Sequence, residues 1–111
     1  MASEDSIADS ILTRADVDKL AGPIVLEFGA QWCGHCAALR PHLAKLLAPI
    51  PEVRHIGIED GKGKPLGRSF AVKLWPTLVF LLDGQVIRRL VRPSPDVVEE
   101  ALAALLKGCV D

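Results

Sequence analysis

Two apolar runs, Ile24-Val25-Leu26-Glu27-Phe28 and Leu78-Val79-Phe80-Leu81-Leu82, constrain the fold most. Each is almost continuously apolar rather than alternating, which is the pattern of a strand buried on both faces. Such a sheet needs helices above and below it. The rest of the chain supplies them. Thr13 is a candidate N-cap for a short helix through Leu20, with Asp16 three residues on as its capping partner. Gly22-Pro23 ends that helix. Cys33–Leu47 reads as a second helix, with Pro41 inside it as an expected kink. Leu66–Val72 reads as a short third helix. Pro95 opens the last helix behind Ser94 as N-cap, and Val97, Val98, Ala101, Leu102, Leu105 and Leu106 form its apolar stripe.

The remaining strands follow from pattern and turn chemistry. Val53–Glu59 alternates and reads as a parallel strand, and Asp60–Pro65 as a loop. Asp83-Gly84 is a two-residue hairpin signal, so Gln85–Val91 should return antiparallel. Ile7, Ile11 and Leu12 are candidates for a short edge strand. The expected order is β-α-β-α-β-α-β-β-α, a mixed central sheet with helices on both faces, in one domain over residues 1–111.

The 111 residues carry 13 Lys and Arg against 14 Asp and Glu, a net charge of -1. This balance gives no reason to expect nucleic acid or a membrane surface as partner. No apolar stretch approaches the roughly 20 residues of a bilayer span. The acidic start Met1-Ala2-Ser3-Glu4-Asp5 does not read as a secretory signal, so a cytoplasmic protein is expected.

Three cysteines are too few and too unevenly spaced for a disulfide scaffold. Cys33-Gly34-His35-Cys36 stands where the strand Ile24–Phe28 hands over to a helix. In a helical turn the two Cα atoms would lie about 5 Å apart, within disulfide range. A helix N-terminus favours an anion such as a thiolate. Cys33 is then the candidate nucleophile, low in pKa and exposed, and Cys36 the deeper, resolving thiol. His35, when charged, would stabilise the Cys33 thiolate and make the pair a stronger oxidant than one with Pro there. Glu27 is an acid in an apolar strand, costly to bury unless paired or protonated, and a candidate proton acceptor for Cys36. Inert core thiols, a zinc site from Cys33, His35 and Cys36, and a peptide-binding module are the competing readings. Cys109 reads as a spare thiol and His42 as a surface residue. Arg88, Arg89 and Arg92 read as a charged solvent face, with a preference for acidic partners as the sharper alternative.

In its order of elements and in Trp32-Cys33-Gly34-His35-Cys36, Pro41, Pro76-Thr77 and Asp83-Gly84, the chain resembles the thioredoxin family over nearly its whole length. The resemblance implies the thioredoxin fold and thiol–disulfide exchange with protein substrates through Cys33 and Cys36. It implies no metal or organic cofactor, a separate reductase or thiol pool for recycling, and a monomer. It also implies a substrate site at Trp32, Gly34, Trp75 and Pro76, with the Trp75–Pro76 bond cis so that the Trp75 backbone can pair with a peptide.

The chain departs from ordinary thioredoxins at four places. Gly34-His35 stands where they carry Gly-Pro and resembles the protein disulfide isomerases, which suggests an isomerase- or oxidase-like alternative. Glu27 replaces a buried Asp. His55 replaces a Lys near that acid, where it could join the proton path. Arg92 replaces a Gly beside the substrate groove.

Overall fold

The computed structural model describes residues 12–110. Its elements in chain order are α1 (Arg14–Asp18), β1 (Pro23–Gly29), α2 (Gly34–Leu47), β2 (Arg54–Glu59), α3 (Pro65–Ser69), β3 (Thr77–Leu82), β4 (Gln85–Val91) and α4 (Pro95–Val110). The four strands form one sheet in the order β2-β1-β3-β4. β1 pairs parallel with β2 and antiparallel with β3, and β3 pairs antiparallel with β4. This is the mixed sheet expected. Of the candidate edge strand, Ile7 and Ile11 lie outside the described residues, and Leu12 packs against the core without joining a strand.

The sheet separates two cores. Ile24, Leu26 and Phe28 of β1 pack with Val79 and Leu81 against α1 and α3. Val25 packs with Leu78 and Phe80 against Leu39 and Leu43 of α2 and Val98, Ala101, Leu102 and Leu105 of α4. The two-residue side-chain period of a strand therefore directs Val25, Glu27 and Gly29 toward the α2 side. That placement makes the site. No helix among the described residues is long and apolar enough to cross a membrane.

Local chemistry sets the ends of these elements. Thr13 and Asp16 form a reciprocal capping box at α1. Asp83 and Gly84 both have positive φ, at 52° and 82°, as a type I′ hairpin turn requires. α2 runs without a break through Pro41. Along α4, Val98, Ala101, Leu102 and Leu105 are buried, whereas Val97 is exposed, so the stripe begins one residue later than the sequence suggests.

The third helix ends at Ser69 rather than Val72 because a Schellman turn closes it. The Val72 N–H donates to Gly67 O at 2.9 Å and the Ala71 N–H to Arg68 O at 3.0 Å, with Ala71 at φ 59°. Arg89 then donates to Phe70 O at 3.1 Å and to Ala71 O at 2.6 Å. Arg89 thus lies on the expected solvent-exposed face and also caps this turn.

Candidate active site

Cys33 is the N-cap of α2, and its Sγ accepts the Cys36 N–H at 3.2 Å. A cap side chain normally offers an oxygen to this donor. Here a sulfur takes the position, where a negative charge is favoured by the helix end. Cys36 lies one turn in and is fully buried with Ala30 and Cys33. A Cβ on Gly29 would come within 2.6 Å of Cys36 Sγ, so the glycine that ends β1 leaves the space this sulfur fills. Both cysteines are thiols in this structure.

The two thiols are driven apart in acidity. Burial is the largest influence on Cys33 and pushes it up, but the Cys36 thiol, the N–H groups of Cys36 and His35, and the Arg92 charge outweigh it together. They hold Cys33 below an ordinary thiol. Burial pushes Cys36 up to about 11, reinforced by its hydrogen bond with Cys33. The order matches the sequence expectation. The exposure does not: Cys33 retains only 7 % of its surface, because Trp75 packs against the pair. Trp32 is 78 % exposed, and its ring meets Trp75 edge-on with centroids 5.2 Å apart.

Beneath the cysteines, on the same face of β1, Glu27 is buried. Leu78 lies opposite it on β3 and Gly57 opposite it on β2. His55 reaches diagonally across the parallel pair, its Nε2 2.8 Å from Glu27 Oε1. Arg40 of α2 brings Nε to 3.5 Å from Oε2, close enough for charge attraction but without a hydrogen bond. Gly57 leaves its side of the carboxylate open, since a Cβ there would meet nothing within 4 Å. Sequence reasoning placed His55 near Glu27 and missed Arg40, whose signal was its position one helical turn beyond Cys36 on α2.

The Trp75–Pro76 bond is cis, and Pro76 is buried. Trp75 is held from two sides that the sequence did not announce. Arg92, at φ 47°, donates its own N–H to Pro76 O at 2.9 Å and its Nε to Trp75 O at 2.8 Å. The Trp75 indole Nε1 donates to Asp60 Oδ2 at 2.9 Å. Gly67 lacks the Cβ that would strike Asp60, so that carboxylate lies against α3. Gly34 and His35 are exposed at the start of α2. His42 is exposed, as expected, and so is Cys109, whose thiol donates to Leu105 O. No cluster of three or more metal-ligating side chains occurs among the described residues, so the zinc reading has no ligand set there.

Comparison with known proteins points the same way. The Thioredoxin family model matches residues 12–106. The mitochondrial thioredoxin-3 of Saccharomyces cerevisiae is 32 % identical over 82 residues, which are 74 % of this chain and 65 % of the yeast protein. The reduced thioredoxin 2 of Pseudomonas aeruginosa PAO1 superposes with a TM-score of 0.78 at 53 % identity, covering 87 % of this chain and 91 % of that one. A structure describing thiol resolution in yeast mitochondrial 1-Cys peroxiredoxin via glutathione/thioredoxin systems also matches. Its TM-score is 0.75 at 29 % identity, over 83 % of this chain and 86 % of that one.

Proposed function

The chain belongs to the thioredoxin family, and from that membership we propose that it works as a thiol–disulfide oxidoreductase that reduces protein disulfides through Cys33 and Cys36. The observation that carries the reading is the Cys33 sulfur capping α2 directly above the buried Cys36. The Cys33 thiolate attacks one sulfur of a substrate disulfide, and the other sulfur leaves as a thiolate that takes up a proton. Cys36 then loses its proton and attacks Cys33, which forms the internal disulfide and releases the second substrate thiol. Two electrons pass to the substrate, and a reductase or thiol pool returns them.

Glu27 is the proton acceptor for Cys36 in this scheme, with His55 as its outlet toward solvent. Cys36 is the thiol held high, so it needs a base before it can attack. His35 tunes the potential. Trp32, Gly34, Trp75 and Pro76 form the surface on which the substrate peptide lies. The matched relatives are thioredoxins, so the isomerase or oxidase role and the peptide-binding module are set aside. The protein is read as a monomer serving electron transport and redox homeostasis in the cytoplasm, where thiols are kept reduced. A peroxiredoxin is a reasonable class of substrate, by analogy with the yeast system.

Insulin reduction by dithiothreitol tests the reading. The protein should accelerate it, and Cys33→Ser should abolish the acceleration. Equal rates with and without Cys33 would overturn it.

A further inference from the structure

A cationic cavity adjoins the redox site. Its volume is about 320 Å³, and Lys62, Lys64, Arg68 and Lys73 line it together with Asp60 and Trp75. This volume lies at the small end of the range of ligand pockets, with room for one or two acidic side chains. Four positive charges gathered on one side of a chain whose net charge is -1 make a local field that the overall balance conceals. The ion pairs Arg14–Asp18, Arg40–Glu27 and His55–Glu27 involve none of the four. The one acid in the wall, Asp60, is already engaged by the Trp75 indole.

The walls are built rather than incidental. The Schellman turn fixes Val72, which lines the cavity, and the Arg89 bonds hold the two residues before it. Gly67 admits the Asp60 carboxylate, and Asp60 holds the Trp75 ring. Trp75 is therefore a shared partition: one side packs on Cys33 and Cys36, the other lines the cavity. A peptide whose disulfide reaches Cys33 therefore comes close to the residue that lines the cavity.

We propose that the cavity is a docking site for acidic side chains flanking the substrate disulfide, so that this protein selects disulfides set in acidic sequence. The proposal rests on the disulfide-reducing activity argued above and assigns that activity its substrate class. Docking supplies attraction and orientation only. The exchange remains the two-electron transfer from the Cys33–Cys36 dithiol, with each substrate sulfur leaving as a thiol.

The test uses the reduced protein and three peptides with one disulfide core, flanked by Glu, Gln or Lys. Hydroxyethyl disulfide serves as a small neutral control. Rates of protein oxidation are compared for the wild type, for Lys62→Gln/Lys64→Gln/Lys73→Gln, and for Lys19→Gln/Lys45→Gln/Lys107→Gln, which removes the same charge elsewhere. The wild type should prefer the Glu peptide over the Gln peptide by about tenfold at low salt. That preference should shrink toward unity at about 0.5 M salt. The cavity variant should lose it while reacting with hydroxyethyl disulfide at the wild-type rate, and the distant variant should keep it. Wild-type oxidation by hydroxyethyl disulfide with no Glu preference overturns the docking site and leaves the activity standing. An equal loss in both triple variants overturns it in favour of net charge. Failure to react with any disulfide overturns the activity itself and the docking site with it.

Discussion

His55 Nε2 lies 2.8 Å from Glu27 Oε1, while the other carboxylate oxygen, Oε2, has Arg40 at 3.5 Å and no hydrogen bond. One oxygen is thus hydrogen-bonded, and the other has only the Arg40 charge beside it. The proton relay proposed for Glu27 would run through this buried carboxylate and the open space beside it at Gly57. Glu27→Gln keeps the shape and removes the base. Decay of the Cys33 mixed disulfide by Cys36 attack should slow by about 10²-fold near neutral pH. Formation of that mixed disulfide should change little. Stopped-flow measurement of the two steps separates them, and equal slowing of both would assign Glu27 a structural role only.

The split between the two thiols gives a pH signature. In a Cys109→Ser background, iodoacetamide should modify Cys33 first, with a midpoint below that of an ordinary thiol. Cys36 should react only as pH climbs toward about 11. The sign follows from the reagent, which attacks the thiolate, so the thiol held lower reacts at lower pH. Mass spectrometry of the labelled peptides decides the order.

Arg92 should show in two readouts. Removing its guanidinium takes a positive charge from Cys33, so Arg92→Ala and Arg92→Gly should both raise the Cys33 midpoint. The two variants should differ in stability. Residue 92 sits at φ 47°, where a side chain costs about 1 kcal/mol that glycine avoids. Urea denaturation should therefore find Arg92→Gly the more stable of the pair.

Gly29→Ala tests the packing beneath the dithiol. Its Cβ would fall 2.6 Å from Cys36 Sγ, inside any permitted contact. The sulfur or the strand end must move, at a cost of about 1–3 kcal/mol. Insulin reduction should fall together with the melting temperature. Gly57→Ala, whose Cβ meets nothing within 4 Å, should leave the melting temperature unchanged and is the control for that readout alone.

His35→Pro removes the imidazole from between the cysteines and should make the pair more reducing. A shift of about 30 mV corresponds to a tenfold change in the equilibrium with glutathione. Titration in glutathione buffers reads it directly. A variant equal to or more oxidising than the wild type would remove His35 as the tuning residue.

Much of the architecture was written in local pattern. The apolar runs at Ile24–Phe28 and Leu78–Leu82 determined strands covered on both faces, because strand side chains alternate and both sets were apolar. Asp83-Gly84 determined its hairpin because both positions need positive φ, and Thr13 with Asp16 determined a helix start. The spacing of Cys33 and Cys36 determined the redox pair. Each of these signals lies within a few residues of the structure it specifies.

What tertiary structure decided are contacts between residues far apart in the chain. Arg92 reaching Trp75 O, Asp60 gripping the Trp75 indole and Arg40 facing Glu27 leave no local trace. α3 stopped short because a Schellman turn closed at Ala71, a residue whose type gives no warning of positive φ. Cys33 is buried, not exposed, because Trp75 comes from more than forty residues away to cover it. The cationic cavity is likewise invisible in a net charge of -1, since a charge count carries no position and only folding gathers four cations beside one indole.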